Sequence, residues 1–326
     1  MSVALSSAAW KFLSGDKPSP KIHGKFLSEP LVKEGSLSVE EAPLLEQPSL
    51  KDKTADLHIH THFSDSTSAP QEVVEQAYAV GLSCISITDH DTVDGVAPTQ
   101  LAAQELGIEV VAGIELSSQL NDKDIHILGY FVDIRNEILN AELTRAQDAR
   151  IDRMRRMIEK LKDLGIGNIT LEEVCILTKS KSVGRPHLAV ILLQKGWVAT
   201  LREAFEKYLG EGCPAYVEKY KMTPARAIEL IRQAGGVAVL AHPMVTNRDE
   251  LIPSFVEQGL QGIEVYYPNY SANTINHYEG IARKYHLIMT GGSDAHGKAK
   301  DNTYIGKVRV SYSVVQQLKE AAKKYS

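Results

Sequence analysis

Strand-like and helix-like segments alternate along this chain from Ala55 onward, and that alternation limits the fold more than any other feature. ADLHIH reads as a strand, and PQEVVEQAYAV (70–80) as a helix with Ser68 as its expected cap and Gly81 at its end. LSCISITDH, IEVVAGIEL and DIHILGYFV read as three more strands, with a helix reaching Gly107 between the first two of them. Residues 136–222 then read as almost wholly helical. Alternation resumes with a helix in TPARAIELIRQAGG, a strand in VAVLAHP and a helix near 249–258. GIEVYYP (strand), 271–284 (helix), LIMTGGSDAH and KVRVS (strands) and a final helix complete it. Such a pattern implies an α/β fold built on a parallel sheet with right-handed crossovers. Seven or eight strands suit a closed or nearly closed β/α barrel. The expected organisation is a barrel from 51–135 and 223–326, interrupted after its fourth strand by a helical insertion at 136–222. Residues 1–50 hold five of the thirteen prolines and show no sustained period, so a poorly ordered extension is expected there.

Composition removes several function classes. The 326 residues are 43% hydrophobic and 24% charged, ordinary for a soluble globular chain of one large domain. A net charge of −5 gives no overall basic footprint for nucleic acid, which leaves only a local patch. Cys84, Cys175 and Cys213 are far apart and form no C-x-x-C pair, which argues against disulfides and against a thiolate zinc site. No apolar run approaches the length of a membrane span. The first twenty residues lack a basic segment followed by a long apolar core, and they contain no Arg. A cytoplasmic protein is the expectation, with organelle targeting left open.

The chemistry is written at the strand ends. They carry His58 and His60, then Asp89, His90 and Asp91, then Glu115, then His242, then Asp294 and His296. In a β/α barrel these ends share one face, which hosts the active site. His58 and His60 project to the same side because strand side chains alternate. His126 departs from the rule, lying near the start of its strand. A lone histidine there is ordinarily a satisfied polar residue, and His62, His277, His286 and His23 are read that way. The joint pattern is different. Imidazoles and carboxylates without thiolate suit Zn²⁺, Mn²⁺ or Fe²⁺, and clustered divalent ions lower the pKa of water and neutralise phosphate charge.

Those residues lie in motifs that resemble a known family. DLHIHTHFSDS, SITDHDT, GIELS, HILGY, LAHP and SDAH occur in the order found in PHP-domain (polymerase and histidinol phosphatase) proteins, from about Asp56 to the C-terminus. The resemblance implies a distorted seven-stranded, TIM-like β/α barrel with two to three divalent ions, manganese first and zinc or iron next. It implies one ion on His58, His60, Glu115 and Asp294. A second would share Glu115 with His126 and His242, and a third would take Asp65, His90 and His296. A metal-bound water held by Glu115 and Asp294 would be the nucleophile.

The stretch GRPHLAVILLQKGWVATLREAFEKYLGEGCPAYV (184–217) narrows the subgroup. It resembles the insertion of PHP phosphoesterases acting on nucleoside 3′,5′-bisphosphates such as pAp and on short 5′-phosphorylated RNA. A nucleotide or short RNA is then the expected partner, with no membrane and no stable protein partner inferable. Arg185 and His187 are the expected substrate grips, because a guanidinium fork matches phosphate oxygens. GRPH also reads as a plain helix start with a solvated His187. The run ARIDRMRRMIEKLK, with Arg150, Arg153, Arg155 and Arg156, reads first as a solvated helix face. Three other functions fit parts of the pattern: a histidinol-phosphate phosphatase, a metal-dependent amidohydrolase and a non-catalytic polymerase-associated module.

Overall fold

Two residues, 121 and 122, separate the third strand from the fourth, and so short a link cannot carry a parallel crossover. The computed structural model describes residues 53–121, 123–178, 183–218, 222–300 and 303–324. The extension at 1–50, with His23, lies outside the described residues. The strands are β1 (Thr54–Ile59), β2 (Cys84–Ile87), β3 (Glu109–Leu120), β4 (Lys123–Tyr130), β5 (Val237–Leu240), β6 (Gly262–Tyr266), β7 (Ile288–Gly291) and β8 (Val310–Ser311). They form one sheet ordered β7-β6-β5-β4-β3-β2-β1-β8.

The expected all-parallel sheet is corrected at two places. β4 runs antiparallel to both β3 and β5, and β8 runs antiparallel to β1. Asn121 takes a left-handed turn conformation (φ 49°) between the paired residues Leu120 and Lys123, as a tight hairpin requires. The reversal also explains His126. The beginning of an antiparallel strand lies at the same end of the barrel as the finish of its parallel neighbours.

Closure comes from β1. Ile59 bridges Ala295 in parallel, and the His60 N–H donates to the Ala295 carbonyl at 3.1 Å. Seven strands thus complete the ring, while β8 attaches at the other end of β1 through Thr54 and Ser311. Asp56 ties the closure together. Its buried carboxylate accepts from the Ser293 N–H and the Gly306 N–H, each at 2.8 Å. Burial pushes its carboxyl up to about 6, against the pull of the Gly306 and Ser293 donors. Asp56→Ala strands both amides and is expected to cost about 2–4 kcal/mol, read as a lower urea midpoint. An unchanged midpoint would remove Asp56 from the closure.

Helices α1 (Pro70–Ala79) and α2 (Val96–Ala103) follow β1 and β2. Ala69, not Ser68, precedes α1, and the Glu72 carboxylate accepts its N–H at 2.8 Å. The segment between β4 and β5 holds α3 (Glu137–Asp163), α4 (Leu171–Thr178), α5 (Arg185–Gln194), α6 (Leu201–Ala204) and α7 (Pro224–Gln233). Helices α8 (Pro243–Thr246), α9 (Ile252–Glu257), α10 (Ala272–Lys284) and α11 (Tyr312–Ala322) complete the set. Among the described residues the apolar core has three clusters. One joins β-strand residues to α1, α7 and α9, and another sets Leu57, Leu128 and Val239 with Val315 and Leu318 of α11. The third lies within residues 154–217 alone, from Met154 and Leu161 of α3 to Leu188 and Leu192 of α5. Among the described residues no helix is long and apolar enough to cross a membrane.

Candidate metal centre

Nine side chains from seven segments converge at one end of the barrel. Glu115 of β3 is at their middle. Its Oε2 lies 3.2 Å from His58 Nε2, from His60 Nε2 and from His90 Nδ1. Its Oε1 lies 2.8 Å from His126 Nδ1 and 3.1 Å from His242 Nε2. Asp294 Oδ1 lies 3.3 Å from His60 Nε2 and 3.5 Å from His58 Nε2. On the other side of His60, His296 Nε2 meets Asp65 Oδ1 at 3.1 Å, and His90 Nε2 is 3.8 Å from Asp65 Oδ2. The loop after β7 reaches His58 only because Gly292 has no side chain: a Cβ there would stand 2.3 Å from the His58 nitrogen.

Proton positions decide what the cluster is suited to hold. His58 Nδ1 faces Glu264 Oε1 at 2.9 Å, and that carboxylate also accepts the His242 N–H at 2.8 Å. His58 therefore carries its proton on Nδ1 and aims the Nε2 lone pair at His60 Nε2, 3.1 Å away. His296 Nδ1 donates to the Asp294 carbonyl at 2.8 Å, so its Nε2 lone pair faces Asp65. Lone pairs and carboxylate oxygens at such distances repel unless a cation sits among them. The edges of 3.1–3.5 Å among His58, His60, Glu115 and Asp294 match a tetrahedral shell. Ligand distances of about 2.0–2.1 Å give edges of roughly 3.3 Å. The donor set fits divalent metal.

The same crowding couples the charges. Burial opposes charge on Glu115, yet the imidazoles of His90, His126 and His58 hold its carboxyl well below the ordinary range. Asp294, also resisted by burial, is held low by His58, His60 and His296. His60, opposed by burial but facing Asp294 and Glu115, is pushed up to about 10, while burial carries His90 down to about 4.

The sharing among sites is wider than the sequence implied. Donor atoms of His60, Asp65, His90 and His296 lie within 4.8 Å of one another, as do those of His58, His60 and Asp294, and of His90, Glu115 and His126. His60 and His90 thus stand between groups. His242 joins through Glu115 Oε1. His62 lies outside these groups, its ring tilted against that of Phe63.

A PHP domain profile matches residues 56–287, which is most of the chain. The chain belongs to the PHP family. Asp294 and His296 lie just past the matched stretch of this PHP chain. It is 33% identical over 249 residues to a 5′-3′ exoribonuclease of Haemophilus influenzae, covering 75% of this chain and 90% of that one. It is 32% identical over 256 residues to a 3′,5′-nucleoside bisphosphate phosphatase of Chromobacterium violaceum, covering 77% and 90%. Among solved structures, one described as a candidate metal-dependent phosphoesterase from Bifidobacterium adolescentis superposes with a TM-score of 0.73. It shares 31% identity over 81% of this chain and 94% of that one.

Two clefts adjoin in this PHP fold. The cleft over the cluster, about 380 Å³, is walled by its imidazoles and carboxylates together with Pro186, Tyr267 and Lys300. The second, about 330 Å³, is lined by Lys123, Arg153, Arg185 and Tyr216, with Asp124 and Glu211 exposed at its edge. Val245 lines both, and the chain neighbours Arg185 and Pro186 line one each. Arg185 and Arg153 both lie over the Tyr216 ring at 5.6 Å. Arg185 opens α5 with Pro186 behind it, so GRPH is a helix start. His187 is not solvated, however. It is half-buried, and its Nδ1 accepts the Gly184 N–H at 2.9 Å, which leaves Nε2–H as a donor. Burial keeps its pKa low, so the ring is neutral.

The basic run divides, correcting the solvated-face expectation for half of it. Arg155 and Arg156 are exposed and pair with Asp152 on their own helix. Arg150 reaches the barrel, pairing with Asp91 and donating to Ser117 Oγ at 3.2 Å. Arg153 is 9% exposed; its Nε donates to the Val217 carbonyl at 2.7 Å, and its buried Nη2 has no hydrogen-bond partner among the described residues.

Glu264, which contacts both His58 and His242, is a residue the sequence reading missed. Its signal was a lone carboxylate inside the apolar strand GIEVY, fully buried, where a charge needs a dedicated partner. Asp89 was named at its strand end but has a different task. It accepts from the Thr61 N–H (2.7 Å) and Ser64 Oγ (2.6 Å), fixing the turn that presents Asp65.

Proposed function

We propose that this PHP phosphoesterase removes the 3′-phosphate from nucleoside 3′,5′-bisphosphates, pAp to AMP, and shortens 5′-phosphorylated RNA from its 5′ end. The observation that carries the reading is the adjacency of a nine-donor cluster to a cleft lined by the buried Arg153 and the half-buried Arg185. Two to three divalent ions would be held by His58, His60, Asp65, His90, Glu115, His126, His242, Asp294 and His296, with manganese the first choice and zinc or iron next. When bound, such ions supply an activated water and neutralise the phosphate charge.

The chain's own residues do the rest. Glu264 and the Asp294 carbonyl hold imidazole protons away from the centre, keeping Nε2 lone pairs inward. Arg185, with the Nε2–H of His187, would grip the 5′-phosphate and so place the 3′-phosphate over the cluster. Arg153 adds a buried cation to the cleft that Arg185 lines. Burial, then Arg185 and Arg150, lower its guanidinium to about 10, so a bound anion relieves crowded positive charge. The segment 136–222 would act as the substrate cap. Histidinol phosphate and amides bring no second anion to this cleft, which leaves it without a role in those reactions.

Arg185→Ala is expected to raise KM for pAp by on the order of tenfold or more, since a charge-assisted phosphate contact is lost. Adenosine 3′-monophosphate, lacking the 5′ group, should be affected much less. Equal losses on both substrates would refute the 5′-phosphate grip. A companion comparison uses one oligoribonucleotide with either a 5′-phosphate or a 5′-hydroxyl; equal degradation of the two would remove the proposed end recognition.

A further inference from the structure

The Asp294 carboxylate is divided between two environments. Oδ1 faces the imidazoles of His58, His60 and His296. Oδ2 faces the cleft wall, where it accepts from the Tyr267 hydroxyl at 2.6 Å and pairs with the Lys300 ammonium. Tyr267 and Lys300 differ in how firmly they are held. Tyr267 is half-buried, and its ring packs against His242 and Tyr270. Lys300 ends a short 3₁₀ turn, and its side chain remains 43% exposed on the mouth of the metal cleft. Its Nζ sits 5.9 Å from the Tyr267 ring centre and 3.3 Å from the Tyr267 hydroxyl.

Among the described residues lining the metal cleft, Lys300 has the one side chain that is a cation without taking up a proton from the imidazole–carboxylate cluster. An ammonium has three N–H donors. Among the described residues Asp294 and Tyr267 take two, which leaves one for the cleft. A phosphate entering beside Asp294 brings up to two negative charges within reach of a flexible, hydrated cation, the kind of contact a lysine makes best.

We propose that Lys300 is a substrate-contacting residue: its ammonium, resting on Asp294 and Tyr267, binds a nonbridging oxygen of the phosphate being hydrolysed, while Tyr267 alone keeps Asp294 turned toward the imidazoles. The inference rests on the phosphoesterase reading but not on any particular nucleotide. Lys300 and Tyr267 therefore separate into different measurements, one of phosphate and one of metal.

The test uses the full chain with manganese, and inorganic phosphate as probe. Lys300→Met is expected to weaken phosphate binding by calorimetry about tenfold or more, as for loss of a hydrogen bond to a charged group. Metal content and affinity should stay within about twofold. Lys300→Arg should recover much of the binding. Tyr267→Phe should give the reverse pattern, with metal affinity down on the order of tenfold, as for outer-shell partners. Phosphate binding at saturating metal should then be close to wild type. The proposal is overturned if Lys300→Met lowers metal affinity as far as Tyr267→Phe does and leaves phosphate binding intact, because Lys300 then only orients Asp294. It is equally overturned if Lys300→Met changes neither quantity. Phosphate binding that depends on Lys300 in a protein that fails to cleave pAp would uphold the contact and remove the nucleotide assignment.

Discussion

Glu115→Gln is expected to reduce hydrolysis by on the order of a thousandfold or more while the barrel remains folded. Five imidazoles lie within 3.2 Å of its two oxygens, so no other residue touches as much of the cluster. Glutamine keeps the shape but removes the central negative charge. It also turns two N–H donors toward nitrogens whose lone pairs should face a cation. The backbone has no reason to move. Glu115 pairs with Leu128 across the β3–β4 hairpin, and its N–H donates to the Asp89 carbonyl at 3.2 Å. Metals per chain should fall along with the rate, while circular dichroism stays unchanged. A variant that keeps its full metal complement and a substantial rate would displace Glu115 from the centre.

The second large effect is expected at Glu264, which lies behind the cluster. Its two oxygens are both engaged, one by His58 Nδ1 and one by the His242 N–H. Glu264→Gln replaces one acceptor by an NH₂ group that cannot satisfy a donor. Either His58 loses its tautomer or the His242 amide loses its partner. Loss of such an outer partner typically costs 10–100-fold in metal affinity, and that range is predicted here, measured by competition with a chelating dye. Excess metal should restore much of the rate, which Glu115→Gln would not allow. Glu264→Ala should also unfold more easily, by about 3 kcal/mol, because a buried His58 N–H and a backbone amide are then left unpaired. Metal affinity unchanged in Glu264→Gln would mean that His58 is oriented by something else.

Much of this architecture is legible in the sequence. Strand ends of a β/α barrel share a face, so His60, His90, His242 and Asp294 could be assigned a common neighbourhood from alternation alone. His126 did not fit, and the reason was in plain view. Leu120 and Lys123 are separated by two residues, which admits a hairpin and excludes a crossover. Reading DIHILGYFV as one more parallel strand hid that reversal. The basic run was harder. Arg150 and Arg153 differ from Arg155 and Arg156 only in which face of α3 they occupy, and no periodicity tells which face meets the barrel. Glu264 was overlooked because its strand reads as plain core, and its role depends on His58, 206 positions earlier in the chain. Lys300 lies in a loop with no motif of its own. Its position on Asp294 follows from the path of the chain after β7, where Gly292 lets the loop lie against His58.

The central claim is that the metal cluster and the arginine-lined cleft act together on a substrate with two phosphates. The most direct measurement is phosphate release from pAp by purified protein with added Mn²⁺, beside histidinol phosphate at the same concentration. Fast release from pAp, little from histidinol phosphate and none after chelation is the predicted result. Turnover of histidinol phosphate in preference to pAp, or release that survives removal of metal, would contradict it.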